Sequence, residues 1–218
     1  LEGGRQHRAE LVVAHDPDGQ RMAGVAENIG TSTLDQVKRW NVAAGTGRAD
    51  LGRHSVPSLA ETLEAFPDVP MSIDLKPDEP GAVPPLLEVV ARHNAEDRVT
   101  LASFSTRVVR TIRRLGYPGR TTLAKSEVAV LRFLPGALAK LYVSGDAAHI
   151  PVEHSGIRLD GRRFIERCRA LGLRVEYWVV DDPEEARRLL SRGATGIMSD
   201  DPARIAPVFD KLGTRNEE

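Results

Sequence analysis

MSIDLKPDEPGAVPPLLEVVARHNAEDRVTLASFS, residues 71–105, is the stretch on which the fold turns. It reads as strand, helix, strand. Met71-Ser72-Ile73-Asp74-Leu75-Lys76 is a short run with apolar and β-branched residues, residues 82–93 carry a helical pattern, and Val99-Thr100-Leu101-Ala102-Ser103-Phe104 is a second strand candidate. A strand, a helix of about ten residues and another strand make a βαβ crossover, which leaves its two strands parallel.

The same alternation continues on both sides. Upstream, Leu11-Val12-Val13-Ala14 is a strand candidate ending on His15-Asp16. Downstream, a helix is expected over residues 106–115, where Val108, Val109, Ile112 and Leu115 share a face. A strand over 120–124 and a helix over 126–134 follow, and the next strand falls at 141–143 or 147–151. A helix at 162–171, a strand at 175–180, a helix at 183–192, a strand at 195–198 and a helix at 202–212 complete the series. Such units build either an open doubly wound sheet or a (β/α)₈ barrel. No Gly-x-Gly-x-x-Gly follows an early strand, which weakens the dinucleotide-binding version. The strand ends carry His15-Asp16, Asp74, Lys76, Ser103, Trp178 and Ser199-Asp200. In a barrel, polar residues at the strands' C-terminal ends share one mouth, so the barrel is the expected fold. It is expected to be a single domain over residues 1–218, with a polar, Gly-rich insertion at about 18–54 lying over the mouth. That insertion contains one helical candidate, at 33–40.

Bulk composition narrows the function. The 30 Lys plus Arg against 31 Asp plus Glu leave no surplus of positive charge for nucleic acid. The single cysteine, Cys168, can form no internal disulfide. No apolar run approaches the ~20 residues that span a bilayer, and no signal peptide opens the chain. A soluble protein is expected, with the cytoplasm the favoured compartment. The first residue is Leu1 rather than Met, so a segment upstream, including a signal peptide, stays open.

Three positions stand out for chemistry. His15, at a strand end, has the residue type for proton transfer near neutral pH; the plainer reading is a histidine that ends a strand. Asp74 and Lys76 are two apart on one strand and so face the same way. Facing inward, they are costly unless they pair or meet a ligand. A carboxylate on Mg²⁺ or Ca²⁺ beside a lysine on a phosphate oxygen satisfies both, and a structural ion pair is the alternative. Trp178 lines either a substrate wall or the core. Ser199-Asp200-Asp201-Pro202 reads as a helix cap. His149 and His154 read as structural or exposed, and Cys168 as inert.

In this order the segments resemble the glycerophosphodiester phosphodiesterase family over the whole chain. LVVAHDP at 11–17 resembles its second catalytic-histidine segment, and VPSLAETL at 56–63 its Pro-x-Leu-x-Glu-x-Leu. SIDLK at 72–76 resembles the Glu-x-Lys strand, with Asp for Glu. LASF at 101–104, VEYWVVD at 175–181 and GATGIMSDDP at 193–202 resemble its Ser-Phe, Trp-Thr-Val-Asn and closing Gly-x-x-Gly-Ile-x-Thr-Asp-x-Pro segments. The resemblance implies a phospholipase-C-like barrel that hydrolyses glycerophosphodiesters to glycerol 3-phosphate and an alcohol. It also implies a Mg²⁺ or Ca²⁺ ion held by Glu2 and Asp74, with His15 as one acid/base group and Lys76 as the phosphate-side cation.

Three departures stand against full activity. The family's opening His-Arg-Gly strand has no counterpart, Gly4 stands where the resemblance calls for an Asp ligand, and the 5–10 segment is short. A barrel lacking its first strand and weak in metal is therefore expected. Two further readings stay open: a lysophospholipase D-like phosphodiesterase, and an inactive barrel that binds phosphate esters.

Overall fold

The computed structural model describes residues 10–213. They fall into two compact units: residues up to Val69 together with Gly81–Arg98, and Pro70–Pro80 together with the chain from Val99 onward.

In the first unit, β1 (Asp18–Gly19) and β2 (Val25–Asn28) form an antiparallel pair around a one-turn helix, α1 (Gln20–Ala23). The helix α2 (Leu34–Lys38) starts at a capping box, in which Thr33 and Gln36 satisfy each other's backbone N–H groups. It buries Val37, which packs with Trp40 and Val56. Gly45 is needed where it stands, since a Cβ there would lie 2.4 Å from the carbonyl oxygen of Arg21. Two more helices, α3 (Leu59–Ala65) and α4 (Val83–Arg92), belong to this unit. Arg98 binds them to the connecting chain by donating to the Leu63 and Val69 carbonyls.

Two expectations fail here. Residues 11–14 do not form a parallel strand: Val12 makes one antiparallel bridge to Ser58, flanked by hydrogen bonds Val13 N to Pro57 O and Leu59 N to Leu11 O. The ladder stops there because its partner enters α3 at Leu59. The 18–54 region also holds a strand pair beyond the one helix expected, because the φ of +69° at Gly24 lets the chain double back.

The second unit is a parallel sheet. β3 (Met71–Asp74), β4 (Val99–Ala102) and β5 (Arg120–Thr121) pair in that order, as do β6 (Ala147–Ile150), β9 (Arg174–Tyr177) and β10 (Gly196–Ile197). A parallel bridge from Thr122 to Ala147 joins the two sets. A small antiparallel pair, β7 (Glu153–His154) and β8 (Ile157–Arg158), follows β6. The helices are α5 (Thr106–Arg114), α6 (Lys125–Phe133), α7 (Gly136–Ala139), α8 (Arg162–Ala170), α9 (Pro183–Ser191) and α10 (Pro202–Gly213).

The periodicity located α5, α6, α8, α9 and α10 because each has one apolar face; α7, β7 and β8 were not foreseen. α5 buries Val108, Val109 and Ile112, each contributing roughly 1.5–3 kcal/mol. Leu115 does not join them: it caps the helix and is half exposed. Strand-like residues 141–143 stay irregular, and 147–150 is the strand. Tyr177 is fully buried and satisfies its hydroxyl on the Leu159 carbonyl, 2.7 Å away.

The sheet is strongly curled. Ser72 Oγ on β3 lies 3.4 Å from His149 Nδ1 on β6, although β4 and β5 intervene. In a flat sheet strands three places apart sit about 14 Å from one another. Only a concave sheet brings these side chains together. Among the described residues no helix is long and apolar enough to cross a membrane.

Candidate active site

Because the six strands β3, β4, β5, β6, β9 and β10 run parallel, their C-terminal ends share one edge, and three of the expected site residues, Asp74, Lys76 and Trp178, lie at strand ends there. Asp74 is the last residue of β3. Lys76 Nζ reaches its Oδ2 at 2.8 Å, and both side chains keep solvent contact. The same-face expectation for positions 74 and 76 holds, with Lys76 just beyond the strand.

Next to them, Ser103 donates from Oγ to the Leu75 carbonyl at 2.9 Å and accepts from Ser105 N. Its hydroxyl therefore pins the ends of β3 and β4 together. Asp78 accepts from Ser105 Oγ and, at 3.1 Å, from Arg107; these two donors hold its carboxyl below the usual range. Trp178 follows β9 and meets Phe104 edge to face, ring centres 5.6 Å apart. Phe104 is 62% exposed, so the pair presents aromatic surface at the sheet edge. Asp181 accepts from Ser199 Oγ and Asp200 N, and Asp201 caps α10 at Arg204 N, as the turn chemistry predicts.

His15 belongs to the first unit. Its Nδ1 lies 2.6 Å from Asp16 Oδ1, and Asp16 Oδ2 accepts from Arg21 at 2.6 Å. The Arg21 guanidinium, and after it His15, hold the Asp16 carboxyl at about 2. Asp16 is thus an anion at any working pH and fixes the ring by Nδ1, leaving Nε2 for proton transfer. Glu2, the other expected metal ligand, lies outside the described residues, as does Gly4. Among the described residues no three His, Cys, Asp or Glu side chains gather to hold an ion; of the expected ligands Asp74 alone is in view.

Sequence reading missed Asp78 and Arg107 as neighbours of this edge. Of its two readings of His149, structural or exposed, the second is excluded: the side chain is 10% exposed and its Nε2 lies 2.8 Å from Glu176 Oε2. The available signal was period two, since Ser72 precedes Asp74 and Glu176 precedes Trp178 by two residues.

The profile of the glycerophosphoryl diester phosphodiesterase family matches residues 9–204. The chain belongs to this family. It is thus a member of a group of phosphoric diester hydrolases. A probable glycerophosphodiester phosphodiesterase 2 of Mycobacterium tuberculosis is 29% identical, over 94% of this chain and 75% of that protein. Human lysophospholipase D GDPD1 is 23% identical, over 90% and 71%. A solved Oleispira antarctica phosphodiesterase, in complex with the product sn-glycerol-3-phosphate, superposes with a TM-score of 0.75 at 19% identity, covering 91% of this chain and 79% of that one. An Agrobacterium tumefaciens structure described as a putative glycerophosphoryl diester phosphodiesterase gives 0.73 at 20%, covering 94% and 82%. The fold of this chain is accordingly the α/β barrel type of the glycerophosphodiester phosphodiesterases.

Proposed function

We propose that the chain hydrolyses glycerophosphodiesters to sn-glycerol 3-phosphate and an alcohol. The observation that carries this reading is the Asp74–Lys76 pair at the C-terminal edge of the parallel sheet, beside the Phe104–Trp178 aromatic pair. A solvent-accessible ammonium is suited to a non-bridging phosphate oxygen. Asp74 holds that ammonium in place, so the cation stays at the edge when no substrate is bound. The two rings offer apolar surface to the carbon skeleton of the substrate. His15, oriented by Asp16 through Nδ1, fills one proton-transfer role. A Mg²⁺ or Ca²⁺ ion would draw on Asp74, and when bound it would offset phosphate charge.

The test is release of glycerol 3-phosphate from glycerophosphocholine, with Mg²⁺ and Ca²⁺ supplied separately, by the chain and by Lys76→Met. Release that drops at least tenfold in the variant is expected, on the order of what one lost charge-stabilising contact costs. No release with either ion, or equal release by the variant, overturns the reading. Lysophosphatidate formed from lysophosphatidylcholine in place of glycerol 3-phosphate would favour the lysophospholipase D-like alternative.

A further inference from the structure

Phosphodiester hydrolysis needs a proton for the departing alkoxide as well as a base for the nucleophile. Three side chains on the concave face of the sheet are arranged to move one. Ser72 Oγ on β3 lies 3.4 Å from His149 Nδ1 on β6, and His149 Nε2 lies 2.8 Å from Glu176 Oε2 on β9. Hydroxyl, imidazole and carboxylate thus follow one another, each ring nitrogen facing one of the other two groups.

A simple structural pair explains only half of this. His149 and Glu176 are register partners on adjacent strands, so their contact alone would be an ordinary cross-strand ion pair. Yet both side chains are mostly withdrawn from water, and an apolar pair would fill such positions at no desolvation cost. Nor does the pair account for Nδ1, which turns to a hydroxyl brought from β3 by the sheet's curvature. Neither His149 Nε2 nor Arg174 Nε makes an in-line hydrogen bond among the described residues, although Arg174 Nε stands 3.3 Å from Glu176 Oε1. Buried polar atoms held off line in this way are uncommon and are often found at working sites.

The position suits the reaction. Ser72 and Asp74 lie two residues apart on one face of β3, a rise of roughly 7 Å. Ser72 itself is exposed.

We propose, resting on the phosphodiesterase reading above, that Ser72, His149 and Glu176 form a proton relay that protonates the leaving alkoxide at the Asp74–Lys76 edge. As the P–O bond to the alcohol breaks, its electron pair stays on the alkoxide oxygen, which takes the Ser72 hydroxyl proton directly or through a water. Ser72 recovers that proton from Nδ1 of the His149 imidazolium. The ring keeps its Nε2 proton facing Glu176 and regains the other from solvent. Among the described residues, the imidazole faces Glu176 of β9, on which Arg174 of β9 and Arg120 of β5 also act, and Asp74 lies two residues beyond Ser72 on β3. His149 holds the Glu176 carboxyl below the usual range against the opposing effect of burial, so a carboxylate faces the ring throughout.

The experiment follows glycerol 3-phosphate release from glycerophosphocholine as a function of pH in the full chain, in His149→Gln, Ser72→Ala, Ser72→Thr and Glu176→Gln. With a protonated donor, wild-type kcat should fall toward alkaline pH. In His149→Gln and Ser72→Ala, kcat should drop on the order of 10²-fold with KM within about twofold, and in His149→Gln the alkaline fall should vanish. Ser72→Thr, which keeps the hydroxyl, should recover most of the rate. Glu176→Gln should move the alkaline fall to lower pH, a shift that misfolding would not produce. Native kcat and an unchanged pH profile in His149→Gln overturn the relay alone. No turnover by the wild-type chain overturns the phosphodiesterase reading, and the relay with it.

Discussion

Asp74 and Asp160 both meet basic side chains in the second unit, and they do so in opposite ways. Asp74 is 29% exposed and has one cationic partner, Lys76, two residues along the chain. Asp160 is 2% exposed and gathers three: Arg158 and Arg188 at 2.6 Å and Arg192 at 2.9 Å. Arg188 and Arg192 come from α9 and the residue that caps it. Arg192 also donates to the Asp160 carbonyl. Burial pushes the Asp160 carboxyl up, but hydrogen bonds from Arg158 and Arg188 and the Arg188 charge outweigh it and leave it well below the usual range. An enclosed carboxylate whose oxygens are saturated with guanidinium hydrogen bonds fixes the fold and has nothing to offer a ligand. An exposed pair contributes little to stability, and its partner can trade one oxygen for another. Distance from water, more than residue type, separates the structural cluster from the one proposed to work on substrate.

The sharpest way to break this comparison is Asp160→Asn. Removing the carboxylate strands three arginines, and the loss should be about 3–5 kcal/mol, read from urea unfolding. The sign of the pH effect follows from the lowered pKa. The contribution is fully present above the unfolded aspartate value of about 3.9 and fades as pH falls through the folded one. The wild-type advantage over Asp160→Asn should therefore shrink only in strong acid. An unfolding difference under about 1 kcal/mol at neutral pH would show that burial does not set the value of these clusters.

Asp74→Asn tests the other half. Its unfolding free energy should change by less than about 1 kcal/mol, while glycerol 3-phosphate release falls on the order of 10²-fold. A stability loss as large as that of Asp160→Asn, with turnover intact, would reverse the assignments.

The smallest expected effect is at Trp178. Trp178→Ala removes aromatic surface that the proposed site offers to the substrate, so KM should rise about fivefold with kcat nearly unchanged. A KM that does not move would take the aromatic pair out of substrate binding.

The sequence alone determined the order of elements and most of their bounds. Strands at 71–74, 99–102, 147–150 and 174–177 and their helices were legible because period two and period 3.6 are written into neighbouring residues. The same locality made Asp74 with Lys76, and the Asp201 cap, readable in advance. It failed at residues 11–14, where β propensity was real but the available partner was a segment about to become a helix. It could not name the partners of His149, since Ser72 and Glu176 lie 77 residues away in one direction and 27 in the other. Only the curled sheet decided that Ser72, His149 and Glu176 meet, and only the packing of α9 decided that Asp160 gathers three arginines. Side-chain period is a property of a few consecutive residues, whereas curvature and register are set by hydrogen bonding and burial summed over many strands, which no local pattern encodes.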